Sequence, residues 1–338
     1  MTTLLAADIG GTKTLLSLHA AEDLRPLAQE RYPSADWPDL AAMLRGFLAG
    51  CAALEPPQAA CLAVAGPVQA GRARLTNLPW RLNETELAAA CGIPRLELVN
   101  DFAVLIYALP HLQAGQRVSI RPGPVQPAEP LLILGAGTGL GVAIGVQGPS
   151  GLQALASEAA HAEFAPRSEA EWQLRQWLCR DLQLERLSIE RIVSGTGLGH
   201  VARWLLQHHP AGPDHPLQDL AQRWRQAGGG ERQDLPAAVA AAAAAHDPLA
   251  RAALDLWLGA YGSVCGDLAL VCLPRGGIFL AGGTAAKLQA ELRSAVFLDA
   301  FHHKGRLAGL LDPIRIDAVV DPAIGCFSAA CRARMLLG

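Results

Sequence analysis

The sequence predicts an α/β protein in two lobes, and three observations predict it. Strand-like apolar runs alternate with segments of helical period from residue 4 to residue 337. The chain has 338 residues, 51% of them hydrophobic, enough for roughly two domains with a sizeable core. A unit of strand, Gly/Thr turn and strand at 4–20 recurs at 131–146. An internal duplication would produce this, although the similarity is confined to the turns.

Composition narrows the function classes. Net charge is -3 and no basic block stands out, which argues against a nucleic-acid partner. Apolar runs are interrupted by glycine, proline or charge before reaching the roughly 18 residues of a membrane span, so no membrane partner is expected. Met1 leads directly into Leu4-Leu5-Ala6-Ala7 without a basic segment or cleavage site, so no signal peptide is expected. The eight cysteines are scattered and form no CxxC pair, as in a reduced cytoplasmic protein.

The elements follow in order. Residues 4–20 read as a β-hairpin turning through Asp8-Ile9-Gly10-Gly11-Thr12, where the double glycine supplies a permissive backbone. Leu40, Met43, Leu44 and Leu48 give residues 37–51 a helical period. Residues 59–65 form a buried strand stopped by Gly66-Pro67, and Asn83 caps a helix. The strand Leu96–Val99 ends in Asn100-Asp101, after which 102–109 read as a helix ended by Pro110. Residues 111–130, rich in Pro, Gly and Gln, read as a linker or surface excursion. The second hairpin turns through Gly135–Gly141. An amphipathic helix at 169–184, a polar loop at 210–235 and helices at 237–245 and 254–272 follow. A strand enters Ala281-Gly282-Gly283, another spans 314–320, and a helix covers 324–337.

The chemistry concentrates at the turns. Glycine clusters let backbone N–H groups approach phosphate oxygens, and threonine hydroxyls add donors. Gly10, Gly11 and Thr12 form one such cradle, and Gly137, Thr138 and Gly139 another. GxxxxGK[ST] is absent, and the glycines 135, 137, 139 and 141 alternate at spacing two instead of matching GxGxxG. Asp8, beside the first cradle, is placed to hold hydrated Mg²⁺, which keeps several of its waters. Lys13 reads as an exposed lysine. At the mouth of a strand, Asn100 offers donors and an acceptor, while ionised Asp101 only accepts and could remove a hydroxyl proton.

The order Asp8-x-Gly-Gly-Thr, Asn100-Asp101, Gly-x-Gly-Thr-Gly, Ala-Gly-Gly resembles the sugar-kinase branch of the actin-like ATPase (ribonuclease H-like) fold. The chain is most similar to the zinc-free bacterial glucokinase family. The matching segments are Thr76–Trp80, Leu98–Phe102, Gly135–Gly141, Glu158–Pro166 and Glu190–Gly195, in the family's order. The resemblance implies a cleft between a small domain of 1–110 plus about 321–338 and a large domain of 111–320. It implies ATP and Mg²⁺ as cofactors, and phosphorylation of the 6-hydroxyl of glucose by a cytoplasmic homodimer at the start of glycolysis.

Residue by residue, the resemblance makes Asp101 the catalytic base. It makes Asn100, Glu158, His161 and Glu190 ligands of the sugar hydroxyls, with Asn77 lining the same cleft. Gly282 and Gly283 fall in its adenosine loop. Read alone, His161 is a structural histidine and Glu190 a helix-start carboxylate. Glu163 reads as a supporting residue and Trp80 as core. The family often has glycines where this chain has Ala159 and Ala160, so another hexose or an N-acetylhexosamine is an alternative substrate. A sugar-sensing regulator is the remoter reading. No cysteine follows His161 until Cys179, so no structural zinc is expected.

Overall fold

The structure, a computed structural model, describes all residues except 76–77, 150 and 229–233. Two compact units emerge: Met1–Gln113 with Ala143–Ala156 and Asp321–Gly338, and Ala114–Val142 with Ser157–Val320. The sequence places 111–320 in one lobe, whereas Ala143–Ala156 group with the first unit.

The first unit is built on a sheet of β1 (Thr3–Ile9), β2 (Lys13–Ala20), β3 (Pro26–Pro33), β4 (Pro57–Val64) and a strand Arg95–Asn100, called β8 below. Its order is β3-β2-β1-β4-β8, with β1, β4 and β8 parallel and β1-β2-β3 antiparallel. A small ribbon of β5 (Val68–Gln69), β6 (Arg72–Arg74) and β7 (Arg81–Asn83) lies between β4 and β8 in sequence. β1 and β4 are buried nearly end to end, as strands covered on both faces must be. The helix Leu40–Gly50 starts at Asp39, whose carboxylate accepts from Ala42 N at 2.7 Å, and it buries Leu40, Met43, Leu44 and Phe47. Each such side chain contributes roughly 1.5–3 kcal/mol. Trp80 is 3% exposed and belongs to the same core. Register brings Ile9, Val64 and Asn100 to one level at the carboxyl ends of the three parallel strands. Ligands of open α/β sheets bind at that edge.

The second sheet contains β9 (Arg117–Arg121), β10 (Leu131–Ala136), β11 (Leu140–Gly148), β12 (Gly151–Ser157), β13 (Gly277–Ala281) and β14 (Ile316–Val319). Its order is β12-β11-β10-β13-β14-β9. Apart from the added β9, this repeats the connectivity of the first sheet strand for strand. Within the second unit β10, β13 and β14 are parallel, and Gly135 pairs in register with Ala281. The two glycine turns therefore leave the sheet side by side. The helix Pro248–Cys272 is long and apolar enough to cross a membrane, but 67% of its most apolar window is buried within the protein. Gly262 and Gly266 on that helix face the helix Ala295–His302 so closely that an added Cβ would overlap the carbonyls of Phe297 and Phe301.

Three local expectations change. Residues 111–130 contain β9, which pairs antiparallel with β14 as an edge strand. Ala103–His111 is a 3-10 segment in place of an α-helix; Ala103 through Leu109 are all buried, so the run carries no helical face, and Pro110 lacks a donor. The polar stretch 210–235 contains the helix Gln218–Gln226.

Candidate active site

The first turn is held from behind by Ser34, which is fully buried. Its hydroxyl donates to Gly10 O, its amide to Thr12 O, and Thr14 Oγ1 lies 3.0 Å from its Oγ. Gly10 N bonds Lys13 O at 3.0 Å, closing the turn. Asp8 stands one residue before the end of β1. Burial raises its carboxyl above the usual range and Arg31 draws it back. Its Oδ2 lies 2.9 Å from where a Cβ on Gly325 would sit, so the opening turn of the helix Ile324–Met335 closes over it.

Asp101 follows the end of β8 and is fixed at the backbone by its own N–H to Val64 O, 2.9 Å. At that common level Ile9 and Asn100 stand two strand spacings apart, about 10 Å. The Asp8 charge therefore reaches Asp101. The Asp101 side chain is exposed, yet desolvation by the protein around it, with like charge from Asp8, raises its pKa to about 6. The amides of Phe102 and of Asp101 itself, and the Asn100 side chain, act in the opposite direction.

Asn100 is fully engaged. Its Oδ1 accepts from the amides of Phe102 and Ala103, and its Nδ2 donates to Gly66 O and to Asp101 Oδ1, each at 3.1 Å. All four positions of the amide are used within the first unit. A sugar hydroxyl would reach Asn100 only by displacing one of these bonds.

In the second unit, the segments 158–164 and 187–190 are zipped together. Phe164 N bonds Leu187 O at 2.8 Å and Ile189 N bonds Ala162 O at 2.9 Å. This brings the 3-10 turns carrying Glu158, His161 and Glu190 into contact. Glu158 and His161 are open, their side chains 79% and 57% exposed, with His161 Nε2 3.7 Å from Glu158 Oε2. Polar atoms this free can meet a ligand. Glu163 instead pairs with Arg175 and Arg186 and is structural. Glu190 Oε2 accepts from Leu140 N at 3.0 Å. Asn77 lies outside the described residues.

The second glycine turn closes through Gly137 N to Gly139 O, 2.9 Å. It is braced by Gly195 N to Gly137 O, 2.7 Å, and by the Thr196 hydroxyl to Thr138 O, 2.8 Å. The Thr284 hydroxyl donates to Ala136 O from the neighbouring turn. There Gly282 adopts φ +87°, with no room for a Cβ beside Ala136 O. A pocket of about 510 Å³ opens between these turns. Its lining combines the steps Gly137-Thr138, Gly195-Thr196 and Gly283-Thr284 with the apolar Trp224, Pro236, Ala237 and Leu288, and with Lys287. A lining of Gly-Thr steps and apolar side chains suits a phosphorylated ligand with a flat ring.

A model of the glucokinase family matches residues 5–336. The chain belongs to the glucokinase family. Two curated glucokinases, from Nostoc punctiforme and from a Synechocystis strain, are 39% and 40% identical to it. The matches cover 99% and 96% of this chain and 100% and 96% of theirs. The solved structure of a glucokinase from an Antarctic psychrotroph superposes with a TM-score of 0.79 at 28% identity, covering 98% of this chain and 99% of that one. A ROK family glucokinase from Streptomyces griseus, solved with glucose and AMPPNP, shares the fold at a TM-score of 0.58 and 20% identity, over 98% and 99% of the two chains. The actin-like ATPase fold expected from the motif order is thus observed.

Motifs alone did not single out Ser34 behind the first unit's turn, or Thr196, Thr284, Trp224 and Lys287 around the second unit's pocket. The threonines carried a signal, because Gly-Thr recurs at 195–196 and 283–284 as it stands at 137–138. Ser34 and Trp224 carried none; a buried serine behind a turn and a tryptophan in a polar stretch are ordinary. The donor chemistry at Asp8 fits Mg²⁺: a carboxylate one residue before the end of β1, ahead of a glycine turn, is a hard oxygen donor for an ion that keeps most of its waters.

Proposed function

We propose that this chain transfers the γ-phosphoryl group of ATP to the 6-hydroxyl of D-glucose. The observation that carries the reading is Asp101. It is a carboxylate at the ligand-binding edge of a parallel sheet, with a pKa near 6, oriented by an Asn100 amide that has no other free valence. A base poised near neutrality can take the hydroxyl proton as the oxygen attacks phosphorus. Glu158, His161 and Glu190 orient the hexose through its other hydroxyls. Each Gly/Thr turn offers amides and a threonine hydroxyl to phosphate, and the pocket lined by Trp224 and Pro236 takes the adenine. Asp8 would hold Mg²⁺ through water. When bound, that ion neutralises charge on the β- and γ-phosphates. Phosphoryl transfer needs positioning and electrostatics and no covalent enzyme intermediate. The reading extends to a cytoplasmic homodimer at the first step of glycolysis, which the family resemblance supports.

A coupled assay for glucose 6-phosphate, run with ATP and glucose with and without Mg²⁺, tests the proposal. Metal-dependent product is expected. Turnover confined to another hexose in a parallel panel would reassign the substrate, and no turnover with any hexose would remove the kinase reading.

A further inference from the structure

We infer that Glu190 is a positioning residue that ties the sugar side of the second unit to the phosphate turn 137–140, so that each side sets the other's affinity. The inference rests on the function proposed above. It begins with one carboxylate and two jobs. Glu190 Oε2 accepts from Leu140 N at 3.0 Å, while among the described residues Oε1 has no hydrogen-bond partner and is available to a hydroxyl.

Gly139 shows how closely the two are fitted. A Cβ there would stand 2.5 Å from Glu190 Oε2 and 3.2 Å from its Cδ. The backbone of Gly139 is outside the left-handed region, so room for the carboxylate, and not conformation, is what requires a glycine. By holding Leu140 N–H, Glu190 also decides which amides of the turn are left for phosphate.

The link is stiff. The Ser194 hydroxyl donates to Glu190 O at 2.7 Å and accepts from Gly197 N at 2.9 Å, capping the helix Gly195–His208. From the first turn of that helix, Gly195 N and the Thr196 hydroxyl hold the carbonyls of Gly137 and Thr138. Three bonds therefore join the stretch 190–196 to the stretch 137–140. On its other side, Ile189 N is bonded to Ala162 O, next to Glu158 and His161. A shift of Glu190 toward a sugar must be felt at the turn, and coupling of this kind is reciprocal.

The test reads each site from the other. Glucose binding without nucleotide and binding of a non-hydrolysable ATP analogue without glucose are measured by calorimetry on Glu190→Ala, Glu190→Gln and Gly139→Ala. Glu190→Ala is expected to weaken the analogue about tenfold, the size of one hydrogen bond to a charged group. Glu190→Gln, whose amide oxygen still accepts from Leu140 N, restores analogue affinity while glucose remains weakly bound. Gly139→Ala, made in the phosphate turn, weakens glucose about tenfold by displacing the carboxylate. Wild-type analogue affinity in Glu190→Ala, or wild-type glucose affinity in Gly139→Ala, overturns the link and leaves the kinase reading standing. If the unaltered protein binds no hexose, the kinase reading fails instead, and the analogue arm alone decides the link. Glu190→Gln is nearly isosteric and keeps the test available should the alanine variant not fold.

Discussion

A carboxyl whose pKa is raised in the folded protein opposes folding at neutral pH, and Asp101 is such a group. Its folded value of about 6 exceeds the ordinary 3.8, so the folded state holds its proton more tightly than the unfolded chain does. Its unfavourable contribution is complete above about pH 6 and disappears as pH falls toward 4. Asp101→Asn is therefore expected to lower kcat by about 10²–10⁴-fold while raising stability at pH 7. Because the side chain is exposed, solvent screening limits that gain to about 1 kcal/mol. Thermal melts at pH 7 and pH 4.5 check the sign: the gain should shrink at the lower pH. For the unaltered protein, kcat/KM should fall about tenfold per unit below pH 6, which a pH–rate profile reads directly. Asp101 was legible in the sequence because a polar pair ending an apolar strand is conspicuous. That Asn100 is fully occupied was not, since its fourth bond depends on where Gly66 comes to lie.

Helices in the second unit are set by packing more than by propensity. Gly195–His208 went unread because glycines at 195, 197 and 199 disfavour a helix. The fold supplies the reason for all three: a Cβ on Gly195 would stand 2.9 Å from Gly137 O. A Cβ on Gly197 would overlap Ile192 O, and one on Gly199 would stand 2.8 Å from the Trp224 ring. His200 on the same helix packs edge-on against Trp224 at 5.3 Å, and neither ring nitrogen has a partner among the described residues. Burial first, then the Arg203 and Arg191 charges, depress its pKa to about 3. Below pH 6.5 the unfolded chain takes a proton that the folded protein refuses, so stability falls as pH falls. Between pH 7 and pH 5 the native protein should lose about 2 kcal/mol more than His200→Leu, in urea unfolding at the two pH values. Gly262→Ala, which forces a methyl group against Phe297 O, should cost about 1–3 kcal/mol, measured the same way.

At the scale of the molecule, the alternation of strands and helices and the repeat of the Gly/Thr turn could be read because phosphate cradles demand conspicuous residues. The matching strand order of the two sheets could not, since outside the turns the sequences share nothing but apolar character. Nor could the grouping of Ala143–Ala156 with the first unit, because unit membership depends on contacts and not on composition. That first unit has a further property. Its helix Ile324–Met335 packs on β1 and β4, and Arg332 forms a two-pronged pair with Glu97 on β8 at 2.6 and 3.1 Å while covering the Tyr107 ring. The ribosome makes β1, β4 and β8 early and this helix only after the entire second unit. The first sheet therefore cannot gain this cover, or the Arg332–Glu97 pair, until the last of these segments has been synthesised.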